Sequence, residues 1–311
     1  MRLIKYKRSI IVISLFIIIF LLTGCDMILM NPKGVISIYQ KKIILIAICL
    51  MLLIVIPVIF MAIIFSRKYR SNNKQATYRP DWECSNKIEL VCWAIPIIII
   101  TVLSVITWKT TYKLDPYKSL ENNKKPIIIQ VISTDWKWVF IYPEKNIATV
   151  NEIAIPVGVP ISFKITAESV MNSFFIPALG SQIYAMAGMQ TKLHLIANEP
   201  GTYKGFSSSY SGNGFSGMKF DVIVTTNIET FNKWVKNVKK STKTLNNIIE
   251  FNKLAEHSYN VPVIYFSSVK SNLYEELILK FTHEDYNNNK IADSNKLIYA
   301  NYSAYIDSRN K

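Results

Sequence analysis

The stretch GFSSSYSGNGFSGM, residues 205–218, sets Ser207 and Ser211 four apart, Phe215 four further on and Met218 three beyond. This is the spacing of a metal-binding loop. The residue types do not suit that work. Serine hydroxyls are hard and protonated at neutral pH, phenylalanine offers no lone pair, and a lone thioether is a weak ligand.

Other chemistry is equally sparse. His194, His257 and His283 lie far apart, and none belongs to a metal spacing such as HExxH. In TKLHLIA, His194 alternates with Leu193 and Leu195 and so faces away from them. There is no phosphate-binding loop, no GxSxG and no recognisable carboxylate pair. Met171, Met186, Met189 and Met218 are scattered through strand-like segments, where packing is the ordinary use of methionine.

The elements that would carry these residues begin with a membrane address. MRLIKYKR is positive, an apolar run follows, and LTGC closes it. Residues 1–24 read as a secretory signal peptide. Leu22-Thr23-Gly24-Cys25 resembles the lipobox of bacterial lipoproteins, which makes Cys25 the lipidated first residue of the mature chain. Asp26 then favours retention in the inner membrane.

Residues 43–65 and 88–108 are two further apolar runs, each long enough for the roughly 20 residues of a spanning helix. The loop between them carries Arg67, Lys68, Arg70, Lys74, Arg79 and Lys87 against two acids, which places it in the cytoplasm. Both ends of the mature chain therefore face outward. Cys49 and Cys92 fall in the membrane runs, Cys84 in the loop, and no cysteine lies beyond residue 92. The outward part has neither a disulfide nor a thiolate ligand.

From about residue 125 the pattern turns to short β-branched and aromatic runs broken by Pro, Gly and Asn: PIIIQVI, WKWVFIYP, TVNEIAIP, PISFKITA, SFFIP, TKLHLIA, GTYKGF and MKFDVIV. Their spacing predicts a Greek-key sandwich or barrel over 125–227. Helical periodicity takes over at about residue 228 in ETFNKWVKNVKK, LNNIIEFNKLAEH and SNLYEELILKFTHE, giving a helical arm to 284. Residues 285–311 form a polar tail. The chain carries a formal net charge of +15, but its lysines are spread out and form no basic stripe interleaved with aromatics, so no nucleic-acid partner is expected.

Two membrane helices (25–110 with the anchor) before an outward β-domain, and the stretch 170–218 within it, resemble subunit II of the haem–copper respiratory oxidases. In its cytochrome c oxidase members a cupredoxin domain holds a dinuclear copper centre, through an upstream His and then Cys-x3-Cys-x3-His-x2-Met. Here Asn172 stands for the upstream His, Ser207 and Ser211 for the cysteines, Phe215 for the second His and Ser209 for the backbone-carbonyl position; Met218 alone is retained. Thiolate and imidazole suit copper, and this set does not. The resemblance is then to the branch without that centre, the cytochrome bo-type ubiquinol oxidases. The lipobox, NPKG, WKTT, DWKWVFIYPE, ATVNEIA, NSFFIP and SQIYAMAGMQTKLHLIANEPGTY agree with it.

The resemblance implies an all-β cupredoxin-like domain on two transmembrane helices with a C-terminal helical extension. It implies an accessory subunit of a proton-pumping oxidase that oxidises ubiquinol and reduces O2. Haem b, haem o and copper would reside in subunit I, ubiquinol would be contacted there, and subunits I, III and IV would be partners beside membrane lipid. Two readings of Glu89 stay open: an acid complementing a helix dipole, or the family's carboxylate at the mouth of a proton-uptake path. Trp136 and Trp138, two apart, are expected on one face of a strand, in core packing. A stand-alone lipoprotein acting as a binding or scaffold module is the rival reading.

Overall fold

The computed structural model describes residues 27–71, 73, 81–120 and 124–288, with side chains described to 281 in the last helix. The signal peptide, Cys25 and residues 289–311 of the tail lie outside the described residues.

Two long helices come first: α1, Val35–Lys68, and α2, Asn86–Lys113. Both are apolar on every side and mostly unburied, as a helix must be to sit in lipid. Pro57 and Pro96 lie inside them. Gly34 caps α1, and the Ser37 hydroxyl accepts from the Gly34 N–H (3.0 Å) while meeting Ala178 O at 2.9 Å. That second bond ties the helix to the β-domain. Gly34 also bridges Ala197, the Val35 N–H donates to Ile196 O, and Ile36 enters the domain's core. Glu89 lies in the first turn of α2, exposed.

The β-domain stacks a six-stranded sheet on a five-stranded one. The first runs β11–β3–β2–β1–β5–β8 and the second β4–β10–β9–β6–β7. In chain order the strands are β1 Ile127–Thr134, β2 Lys137–Tyr142, β3 Ile147–Val150, β4 Glu152–Pro156, β5 Ile161–Ala167, β6 Asn172–Phe175, β7 Ile183–Ala185, β8 Thr191–Leu195, β9 Gly201–Ser207, β10 Lys219–Thr225 and β11 Ile264–Phe266. The β1–β5 and β4–β10 pairs are parallel, and the other pairs are antiparallel.

TVNEIAIP, expected as one strand, is two. Asn151 takes a left-handed φ of 56° and carries the chain from the first sheet to the second. Asparagine tolerates that conformation better than a branched residue would. Its side chain joins the domain to the arm: Oδ1 accepts from Trp138 N (2.9 Å) and Nδ2 donates to Val261 O (2.8 Å).

Strand β2 shows how the domain and arm are joined. Trp138, Phe140 and Tyr142 enter the sandwich core, whereas Val139 and Ile141 face a second core built with the arm. A strand covered on both faces has no polar side, which accounts for the unbroken run WVFIY. The arm comprises α3 Ile228–Val238, α4 Ile248–Ala255, β11 and α5 Leu273–Asn288. Phe251, Leu273, Tyr274 and Leu277 supply its side of the second core. Asn227 and Asn247 accept from Thr230 N and Glu250 N, each at 2.8 Å, starting α3 and α4. The arm is not wholly helical: β11 pairs with β3 and extends the first sheet, because VIYF is β-branched and aromatic rather than helix-periodic.

Candidate functional site

The loop of residues 207–218 joins β9 to β10. Its base is closed by Ser207 N–H donating to Met218 O (3.2 Å), and its far side folds into a 3-10 turn, Phe215–Gly217. Strand β6 pairs with β9 and brings Asn172 beside Ser207. The Ser207 Oγ lies 3.0 Å from Asn172 Oδ1 and 3.2 Å from Ser209 O, so its single proton serves one of them at a time. Asn172 Nδ2 donates to Ser133 Oγ on β1 at 2.6 Å. Met218 is fully buried beneath them in the main core.

The structure thus ties Asn172, Ser207 and the half-buried Ser209 into one hydrogen-bonded knot, with the Met218 backbone closing the loop beside it. Ser211 and Phe215 lie further out. Ser211 O accepts from Trp136 Nε1 (3.1 Å), and its hydroxyl is buried without a hydrogen-bond partner among the described residues. Phe215 is half-buried with its ring 5.8 Å from that of Tyr210.

This donor set does not fit copper. An amide and hydroxyls already committed to one another replace the needed thiolates and imidazoles, and the phenyl ring has nothing to offer. Among the described residues no three His, Cys, Asp or Glu side chains converge anywhere.

Trp136 is not on a strand face. It occupies the two-residue turn between β1 and β2, with a φ of 61°, and β2 starts one residue later. Trp138 enters the core, while the Trp136 indole lies across the loop. A Cβ on Gly214 would come under 3.0 Å from three of its ring carbons, so only glycine allows the indole this close. The loop's glycines serve packing as much as turning.

The histidines stay apart. His194, half-buried on the edge strand β8, has its basicity lowered by burial and secondarily by Lys192. His257 pairs with Asp135 at 3.0 Å. His283 lies in the stretch of α5 whose side chains are not described.

Two groups escaped the reading of the sequence. Lys137 is buried, facing the arm, and donates to Glu256 O (2.7 Å) and to the Ser258 hydroxyl. Burial lowers its pKa; Asp135, Glu256 and Glu168 oppose the shift. Glu152 receives Tyr265 OH (2.6 Å) and Trp234 Nε1 (3.1 Å), and burial followed by this carboxylate pushes the Tyr265 phenol up. A lysine opening a strand is the only local signal for the first; nothing local marks the second.

Residues 107–226 match the model of the cytochrome c oxidase subunit II periplasmic domain, and residues 239–285 match the COX aromatic rich motif. The cytochrome bo(3) ubiquinol oxidase subunit 2 of Pseudomonas aeruginosa is 54% identical over 85% of this chain and 79% of its own length. That of Buchnera aphidicola subsp. Baizongia pistaciae is 52% identical over 89% and 97%. The chain belongs to the ubiquinol oxidase subunit 2 family. A third relative, ubiquinol oxidase subunit 2 of Acetobacter aceti, is 48% identical over 94% of each chain.

In this subunit 2 chain the two matched segments share a core and a strand pair, and they also meet at the Asp135–Trp136–Lys137 turn. The first match supplies the turn and the loop beneath it; the second supplies the arm residues above.

Proposed function

We propose that this chain is an accessory subunit of a proton-pumping ubiquinol oxidase and performs no redox step itself. Haem b, haem o and copper reside in subunit I, which draws ubiquinol from the bilayer and reduces O2; subunits III and IV complete the complex. The observation that carries the reading is the Asn172–Ser207 hydrogen bond at 3.0 Å, where a copper-bearing relative would aim ligands at metal. A lipid-borne donor reaches subunit I within the membrane and needs no outward electron port. Support for a membrane partner comes from α2, where Ile100, Leu103, Ser104, Thr107 and Thr111 line a shallow groove on the helix surface.

The same reading assigns the finer anatomy. Residues 1–24 are cleaved, Cys25 carries lipid, 25–110 form the anchored hairpin, 125–227 the periplasmic domain, 228–284 the arm and 285–311 a tail. Asn172, Ser207, Ser211 and Phe215 hold the four replaced ligand positions, Met218 the retained one, and Glu89 lies at the entrance of the proton-uptake path.

Detergent extraction through a tag on this chain is the test. Co-purification of a haem-containing integral partner with ubiquinol oxidase activity is expected, and a haem-free chain would overturn the proposal. Intact mass on the same sample should show residues 1–24 missing and lipid added; an unmodified Met1 would refute the anchor.

A further inference from the structure

Six consecutive arm residues, 256–261, run between α4 and β11 without regular structure, yet each has a partner on the β-domain. Glu256 O and the Ser258 hydroxyl accept from Lys137 Nζ. His257 Nδ1 meets Asp135 Oδ2 at 3.0 Å. The Tyr259 ring stacks on the Trp136 indole, with centroids 4.9 Å apart and planes 17° from parallel. Asn260 presses its side-chain oxygen on Gly217, in the 3-10 turn of the loop, so closely that a Cβ there would clash. Val261 O accepts from Asn151 Nδ2.

The indole is thereby a middle layer. Gly212 and Gly214 of the loop pack against its ring carbons, its Nε1 donates to Ser211 O, and the Tyr259 and His257 rings of the arm lie against it, with centroids 4.9 and 5.3 Å away. Ser211 keeps a buried hydroxyl without a partner directly below this stack. An orphaned hydroxyl stays dry only where water is kept out.

We propose that residues 256–261 are a lid, fastened by the Asp135–Trp136–Lys137 turn, that covers the Ser211 side chain against bulky solutes and any soluble redox protein, while Tyr210, Asn213 and Ser216 of the same loop stay exposed. Closure of this face then has two independent causes: the ligand set is gone, and the chain's own arm occupies the approach. The second does not depend on the first, nor on the oxidase reading.

The test uses the whole complex with Ser211→Cys, a membrane-impermeant thiol reagent, and the unsubstituted complex as blank for the native cysteines. Lys236→Cys, on the exposed side of α3, is the open reference. A closed lid should slow labelling at residue 211 by about 100-fold or more relative to residue 236, as a site needing local opening must. Equal rates would overturn the proposal. Tyr259→Ala removes a ring that is 58% exposed and lies outside both cores, so assembly, checked by haem content, should survive. It should speed labelling at residue 211 by roughly 10-fold. An unchanged slow rate in Tyr259→Ala would mean that the loop shields itself and the arm is no lid.

Discussion

Ser207 and Asn172, on neighbouring strands of the second sheet, share a buried hydrogen bond of 3.0 Å between Oγ and Oδ1. Each satisfies the other inside the domain. The knot is not an empty site, because Asn172 also donates to Ser133 and the Ser207 proton has Ser209 O as its alternative acceptor. Burying such groups unpaired would cost about 1–3 kcal/mol apiece.

Restoring the donors should restore binding if the backbone still has the metal-site frame. A variant carrying Asn172→His, Ser207→Cys, Ser211→Cys and Phe215→His with Met218 kept should take up copper and show intense visible thiolate charge-transfer bands and shared-spin resonance. Its affinity should fall short of a native site, since the surrounding shell is untuned. A folded, colourless variant would refute the position-by-position correspondence. Ubiquinol oxidation should not rise in either case.

Gly214→Ala should be costly and Gly217→Ala cheap, although both glycines are tightly covered. At 214 the new Cβ meets the Trp136 ring carbons, which are clamped from above, and overpacking of that kind costs about 1–3 kcal/mol. At 217 the nearest atom is the end of the Asn260 side chain, which can turn aside. Thermal unfolding of the two variants should separate them; equal losses would contradict the stacking.

Lys137 gives the domain a pH signature. Burial holds its folded pKa below the ordinary 10.5. Between those two values the unfolded chain binds the extra proton, so stability rises with pH across that window and the penalty is full below it. Lys137→Met has no such proton. Relative to this variant, the native protein should gain stability as pH climbs toward 10.5, and a flat difference would show the ammonium to be unperturbed.

Glu89→Gln separates its two readings. Loss of a proton-relaying carboxylate should slow oxidase turnover by on the order of 10-fold or more with assembly intact, because an amide cannot relay protons. Turnover unchanged across the working pH range would leave only the helix-dipole role, worth a few tenths of a kcal/mol at an exposed first turn.

Much of this was legible in the chain. β-Branched and aromatic runs located the long strands, and period-3.6 patterns located all three arm helices, because those elements are built from their own residues. The three-residue strands β7 and β11 were not: both are too short to show a pattern, and β11 also depends on a partner more than 100 residues away. Trp136 misled for a related reason: bulky residues avoid positive φ, so nothing in DWKW announces a turn whose strain is offset by stacking on Tyr259 and Gly214. That Asn172 and Ser207 belong together could be read from the family resemblance. The hydrogen bonds among them could not, and the lid was invisible because its six contacts join residues about 40 to 120 positions apart.

The first turn of α1 is welded to the β-domain through Gly34, Val35, Ile36 and Ser37. At 1.5 Å per residue its 34 residues extend about 51 Å, far beyond a hydrocarbon layer of roughly 30 Å. Helix and sandwich therefore behave as one stiff lever with its fulcrum in the bilayer. A thinner membrane, which makes a long helix lean, would swing the whole periplasmic body sideways rather than bend a hinge. Membrane thickness thus becomes a mechanical input to how this subunit presses on its neighbours.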